Sequence, residues 1–149
     1  DVVVVGSYPA DLDFWQASKA LLSADLLVRD GGAVIMVTPC PEGLGPHDEL
    51  AGYVGDDAPD DLAERAMEGR TADPVAVAGG VTIARMRKRV RIAIVSDGLQ
   101  QPDCARMRMA HFYSAQQAVD WALGLYGKGA RVSVIPYGAQ TFPLLGEQA

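Results

Sequence analysis

Val2-Val3-Val4-Val5-Gly6-Ser7-Tyr8-Pro9-Ala10-Asp11 opens the chain, and its reading decides the fold. Four consecutive β-branched residues show no in-and-out alternation, so they predict a strand covered on both faces, the habit of parallel sheets. Gly6 to Pro9 is turn material. From about Asp13 to Arg29, Phe14, Ala17, Leu21, Ala24 and Val28 recur at helical spacing and form one apolar stripe. Gly31-Gly32 stops that helix. Strand, turn and amphipathic helix in this order are the first half of a right-handed crossover.

Outward from this unit the pattern repeats. Apolar runs at Ala33 to Val37, Arg91 to Val95 and Arg131 to Ile135 read as further buried strands. Between them, Pro39 to Asp73 holds ten acids and only Arg65 and Arg70 as bases, with short helices expected near His47 to Tyr53 and Asp60 to Glu68; it reads as an acidic surface insertion. Val75 to Arg89 is expected to be helical despite Gly79-Gly80, and Arg85, Arg87, Lys88 and Arg89 suit its C-terminus. Ser114, with Gln117 three residues on, resembles a capping box for a helix to about Tyr126, closed by Gly127. The expectation is a single α/β domain over residues 1–149: three layers, a mainly parallel sheet of four to five strands, and helices on both faces, Rossmann-like.

Composition narrows the function classes. The chain has 149 residues, 49% of them hydrophobic, with 13 Lys+Arg against 19 Asp+Glu and a net charge of −6. That charge argues against nucleic acid or an anionic membrane as partner. No apolar run approaches the roughly 20 residues of a membrane span. Two cysteines, Cys40 and Cys104, in no paired motif, fit a reducing, cytoplasmic setting better than a disulfide scaffold. The chain starts at Asp1 without Met and enters a strand at once, so a piece excised from a longer protein is expected.

Nucleotide-binding signatures are missing. Gly43-Leu44-Gly45-Pro46 lacks the third glycine of a dinucleotide fingerprint and carries a proline where a backbone N–H would face a pyrophosphate, so it reads as a turn. Neither histidine, His47 or His111, pairs with a second ligand at zinc-type spacing, and Cys40, Glu42 and His47 merely share a loop; no metal site is expected in this chain. Asp56-Asp57 and Asp60-Asp61 read as a solvated, helix-capping face. More informative is the start of the first helix. Trp15, Gln16 and Lys19 fall opposite the buried stripe, followed by Leu22 and Leu26, so the helix has a second side that must meet something besides the sheet. They lie just beyond the carboxyl end of a strand, where open α/β sheets place ligands. An ammonium, an amide and the positive potential of a helix N-terminus suit a small organic acid, although a surface Lys and Gln beside a packed Trp would look the same in sequence.

These residues carry a resemblance. Asp1 to Asp11, Phe14-Trp15-Gln16-Ala17-Ser18-Lys19 and Asp30-Gly31-Gly32-Ala33-Val34-Ile35, and more loosely Val95-Ser96-Asp97-Gly98 and the last helix and strand, resemble the C-terminal domain of the nickel-dependent lactate racemase family. The resemblance implies a two-domain enzyme, a 2-hydroxyacid racemase or epimerase. In it a preceding N-terminal domain holds a nickel-pincer mononucleotide and the acid/base histidines, while hydride leaves the α-carbon for the cofactor and returns to either face. It implies Gln16 and Lys19 as the catalytic residues contributed by this chain, Trp15 and Tyr8 as substrate-binding, and no cofactor bound to this domain alone, which would be inactive. Its partners would be the N-terminal domain of the same chain and a small 2-hydroxy acid. The family pattern has Tyr before the Gln; here Trp15 removes a hydroxyl and adds bulk, which points away from lactate itself. The alternative left open by the residues is a non-catalytic α/β module that binds a ligand or protein through the acidic stretch or the basic helix end.

Overall fold

The computed structural model describes residues 1–144. Five parallel strands, β1 (Val2–Gly6), β2 (Ala33–Val37), β3 (Arg91–Val95), β4 (Ala110–Phe112) and β5 (Val132–Ile135), form one sheet in the order β4-β3-β2-β1-β5. The first four strands are laid outward from β1 and the chain then returns to place β5 on its other side. Strand order therefore reverses at β1. Val3, Val5, Val34, Met36, Ile92 and Ile94 point to one face, where α1 (Phe14–Ala17), α2 (Lys19–Asp25), α3 (Leu50–Val54), α5 (Pro74–Arg89) and α6 (Gln101–Arg106) build the main core. Val2, Ile35, Ala93 and Val95 point to the other, where Ala118 and Ala122 of α7 (Ala115–Tyr126) cover them. The layered α/β expectation holds, with β4 the strand that the apolar runs did not reveal.

Three expectations need correction. The run ending at Ile135 is not buried on both faces: Val132 and Val134 are 41% and 65% exposed, because β5 is an edge strand that α7 does not reach. The first helix is two pieces that join at Ser18, whose hydroxyl donates to the Trp15 carbonyl at 2.9 Å while Leu21 N–H turns back to the Ser18 carbonyl at 3.0 Å. Hydroxyl groups that bond the preceding turn locally distort a helix in this way. The buried stripe is as expected, with Phe14, Ala17, Leu21 and Ala24 wholly inaccessible.

The acidic stretch, third, is not a surface insertion. Leu50, Ala51 and Val54 are fully buried in the main core. Gly80 is what lets α3 lie this close to α5, since a Cβ there would stand 2.5 Å from Tyr53 Cβ. Its acids sit on the outer rim, where Asp60 pairs with Arg85 at 2.7 Å and Asp57 with Arg108 at 2.7 Å, and Asp60 and Asp61 occupy the first turn of α4 (Pro59–Met67). The basic end of α5 is a solvated helix end, as expected, with Arg85, Lys88 and Arg89 exposed. Arg89 ties to Asp25 and Asp30, and Arg87 donates to the Val54 carbonyl. Ser114 caps α7 through the Gln117 N–H at 3.2 Å, as expected.

Candidate functional site

The short helix α1 begins in a tight knot. Asp13 caps it by accepting the Gln16 N–H at 2.8 Å, while Phe14 N–H and Trp15 N–H donate to the carbonyls of Gly43 at 2.8 Å and Leu44 at 3.3 Å. Gly43-Leu44-Gly45 is thus a turn whose work is to satisfy that helix start. Gly45 has φ +91° and a Cβ there would meet Asp13 Cγ at 2.9 Å, so only glycine fits. The consequence corrects an expectation: the donors of the α1 N-terminus are used internally, so positive potential on this face comes from Lys19 and not from the helix end.

Lys19 is exposed, and its Nζ donates to Gln16 Oε1. That bond takes one of the two lone pairs of the amide oxygen and one of three ammonium hydrogens, so two ammonium hydrogens and the amide NH2 remain as donors. Trp15, Ser18, Lys19 and Leu22 form one wall of a cleft of about 160 Å³, and Gly79, Thr82 and Ile83 of α5 form the other. Leu22, half exposed, gives that wall its apolar character. On the far side of Lys19 a groove of about 420 Å³ runs between α2 and the segment Gly138 to Phe142. Lys19 therefore stands on the ridge between two concavities, while Gln16 lines neither.

Trp15 is half buried, and its ring lies against the bare backbone of Gly79, where a Cβ would come within 2.7 Å of Cζ3. On its flank stands His47, ring centroids 4.4 Å apart and planes inclined at 57°. His47 Nδ1 is 2.5 Å from Asp73 Oδ2, and the other oxygen of Asp73 caps α5 by accepting the Ala76 N–H at 2.9 Å. The Ala76 N–H first, and His47 second, hold the Asp73 carboxyl below the usual carboxylate range. No sequence signal marks this pair, because its two residues lie in separate segments of the chain.

Tyr8 stands apart from the cleft. It is 60% exposed in the turn after β1 and meets Tyr137 edge-on at 6.0 Å, at the carboxyl ends of β1 and β5 where strand order reverses. Tyr137 was not foreseen; the only signal was its place in a turn after a strand. The remaining candidates are structural. Cys40 and Cys104 are buried, and desolvation pushes their thiols up to about 11 and about 12, so neither is a nucleophile at neutral pH. Among the described residues no three of His, Cys, Asp and Glu gather as a metal-ligand group. His111 hydrogen-bonds the Ser96 carbonyl at 3.0 Å and packs on Tyr113. No helix is long and apolar enough to cross a membrane among the described residues.

Residues 1–142 match the family model described as the lactate racemase C-terminal domain. The chain is similar to the lactate racemase of Lactiplantibacillus plantarum, 28% identical over 135 residues, which is 89% of this chain and 32% of that protein. It is also similar to the lactate racemase of Thermoanaerobacterium thermosaccharolyticum, 22% identical over 93% of this chain and 33% of that protein. The solved structure of the latter's apoprotein superposes with a TM-score of 0.79 over 95% of this chain and 35% of its own, at 22% identity, a likeness of fold. The chain spans about a third of the length of the curated relatives it matches, and it corresponds to their C-terminal part.

Proposed function

Because this chain belongs to the lactate racemase C-terminal domain family, we propose that it is the substrate-contacting domain of a 2-hydroxyacid racemase or epimerase, working with a preceding domain of the same protein. The observation that carries this reading is Lys19, hydrogen-bonded to the Gln16 amide, at the rim of an apolar cleft walled by Trp15. Such a rim complements an anionic head group with an apolar side chain. Lys19 holds the carboxylate and opposes charge on the adjacent oxygen, the Gln16 amide hydrogens orient the hydroxyl, and Trp15 with Leu22 excludes water from the side chain.

The nickel-pincer mononucleotide of the family belongs, in this proposal, to the preceding domain. An ammonium, an amide and an indole do not form a metal-ligand set, so no step on this face is drawn through the metal. When bound, that cofactor supplies the hydride acceptor for the α-carbon. Tyr8, with Tyr137, is proposed to border the substrate from the reversal point of the sheet.

Two measurements on the whole, nickel-loaded protein test this. Chiral 2-hydroxy acids offered one at a time should lose optical rotation. Lys19→Ala should lower kcat/KM roughly 30-fold, the equivalent of about 2 kcal/mol of charged transition-state stabilisation. Wild-type turnover in that variant refutes the role of Lys19.

A further inference from the structure

One arrangement beside this face is not absorbed by the proposed function. The indole of Trp15 is held from two directions by groups that trace to a single helix end. Beneath it lies Gly79 of α5; on its flank lies His47, itself bound by Asp73, the residue that caps the same helix. The His47 side chain is only 18% exposed and comes from the loop that also satisfies the start of α1, so its position is fixed from both sides. An imidazole bound to an aspartate is ordinarily a structural tie. Here the group it steadies lines an open cleft together with Leu22 and Ile83.

We propose that His47 is a positioning residue: bound by Asp73, it fixes the Trp15 indole as a rigid apolar wall beside Lys19, and so makes the site prefer 2-hydroxy acids whose side chain is apolar and larger than a methyl group. The preference rests on the reading of Lys19 and Trp15 as substrate-contacting. A cleft of about 160 Å³ leaves most of its apolar wall untouched when only a methyl enters. Each further methylene that reaches the wall is worth about fourfold in affinity, so three of them amount to roughly 60-fold. A loose indole forfeits most of that, because the ring must be ordered anew each time substrate binds.

The test has two readouts. In this chain with Trp121→Phe, Trp15 is the one remaining tryptophan. His47→Ala should then reduce its near-ultraviolet circular dichroism by about half or more and raise acrylamide quenching about twofold, as expected of an aromatic freed from a fixed environment. His47→Gln, which retains a donor for Asp73, should recover part of both signals and guards against a misfolded Ala variant. In the whole protein, His47→Ala should cut the kcat/KM ratio of 2-hydroxy-4-methylpentanoate over lactate at least tenfold, with the loss mainly in KM.

Unchanged circular dichroism and quenching in His47→Ala overturn the clamp. A loosened Trp15 with the substrate ratio unchanged overturns the specificity role. A neutral Lys19→Ala beside a loosened Trp15 overturns the substrate-contacting reading and the preference drawn from it, so the failures are distinguishable.

Discussion

Gly79→Ala is the sharpest test of how the cleft is built. A methyl at that position would stand 2.7 Å from Trp15 Cζ3, against roughly 3.5–4.0 Å for a comfortable carbon contact. The indole must therefore retreat by about 1 Å, and with His47 on its flank the free direction is into the cleft. Two effects of opposite sign compete. Exchanging glycine for alanine inside α5 favours the helix by about 1 kcal/mol, while forcing a methyl into an occupied space costs about 1–3 kcal/mol. The expected outcome lies between no change and a loss of about 2 kcal/mol.

Gly124 in α7 supplies the control, because a Cβ there meets nothing within 4 Å; Gly124→Ala should stabilise by about 0.5–1 kcal/mol. Urea unfolding of both variants, followed by far-ultraviolet circular dichroism, measures the difference. A double-mutant cycle isolates the clash: in a Trp15→Ala background, Gly79→Ala should turn stabilising by about 1 kcal/mol. If Gly79→Ala stabilises the intact chain as much as Gly124→Ala does, the ring does not rest on Gly79 and the description of the cleft wall is wrong.

Two further outcomes follow from the titratable groups. The Asp73 carboxyl is lowered in the folded state, so its contribution to stability is complete above the ordinary carboxylate value of 3.8 and is lost as pH falls through the folded value; Asp73→Asn should be less stable than wild type at neutral pH and converge with it in acid, measured by urea midpoints against pH. The buried thiols of Cys40 and Cys104, raised to about 11 and about 12, should stay unreactive toward a disulfide reagent at pH 8 in the native chain, and both should react on unfolding; a fast-reacting native thiol contradicts their burial.

Much of the fold could be read from the residues because strand and helix signals are local. Val2 to Val5 and Ala33 to Val37 announced buried parallel strands, and the Phe14 to Val28 stripe announced the helix face that covers them. Where reading failed, burial was decided elsewhere in the chain. Arg131 to Ile135 looks like the other strands, yet its exposure follows from its place at the sheet edge beyond the reach of α7. The acidic stretch looked superficial because its charges outnumber its apolar residues, but Leu50, Ala51 and Val54 fall on one side of a short helix and carry it into the core. Three residues were too few for β4 to show as an apolar run.

The candidate site divides along the same line. Trp15, Gln16 and Lys19 share a helix face by spacing alone, since positions three and four apart on a helix are neighbours whatever surrounds them. That His47, held by Asp73, and Gly79 meet the same indole depends on where two crossover connections bring distant segments together. Periodicity is a property of the residues; adjacency across a layer is set by chain topology and packing, and only the folded chain expresses it.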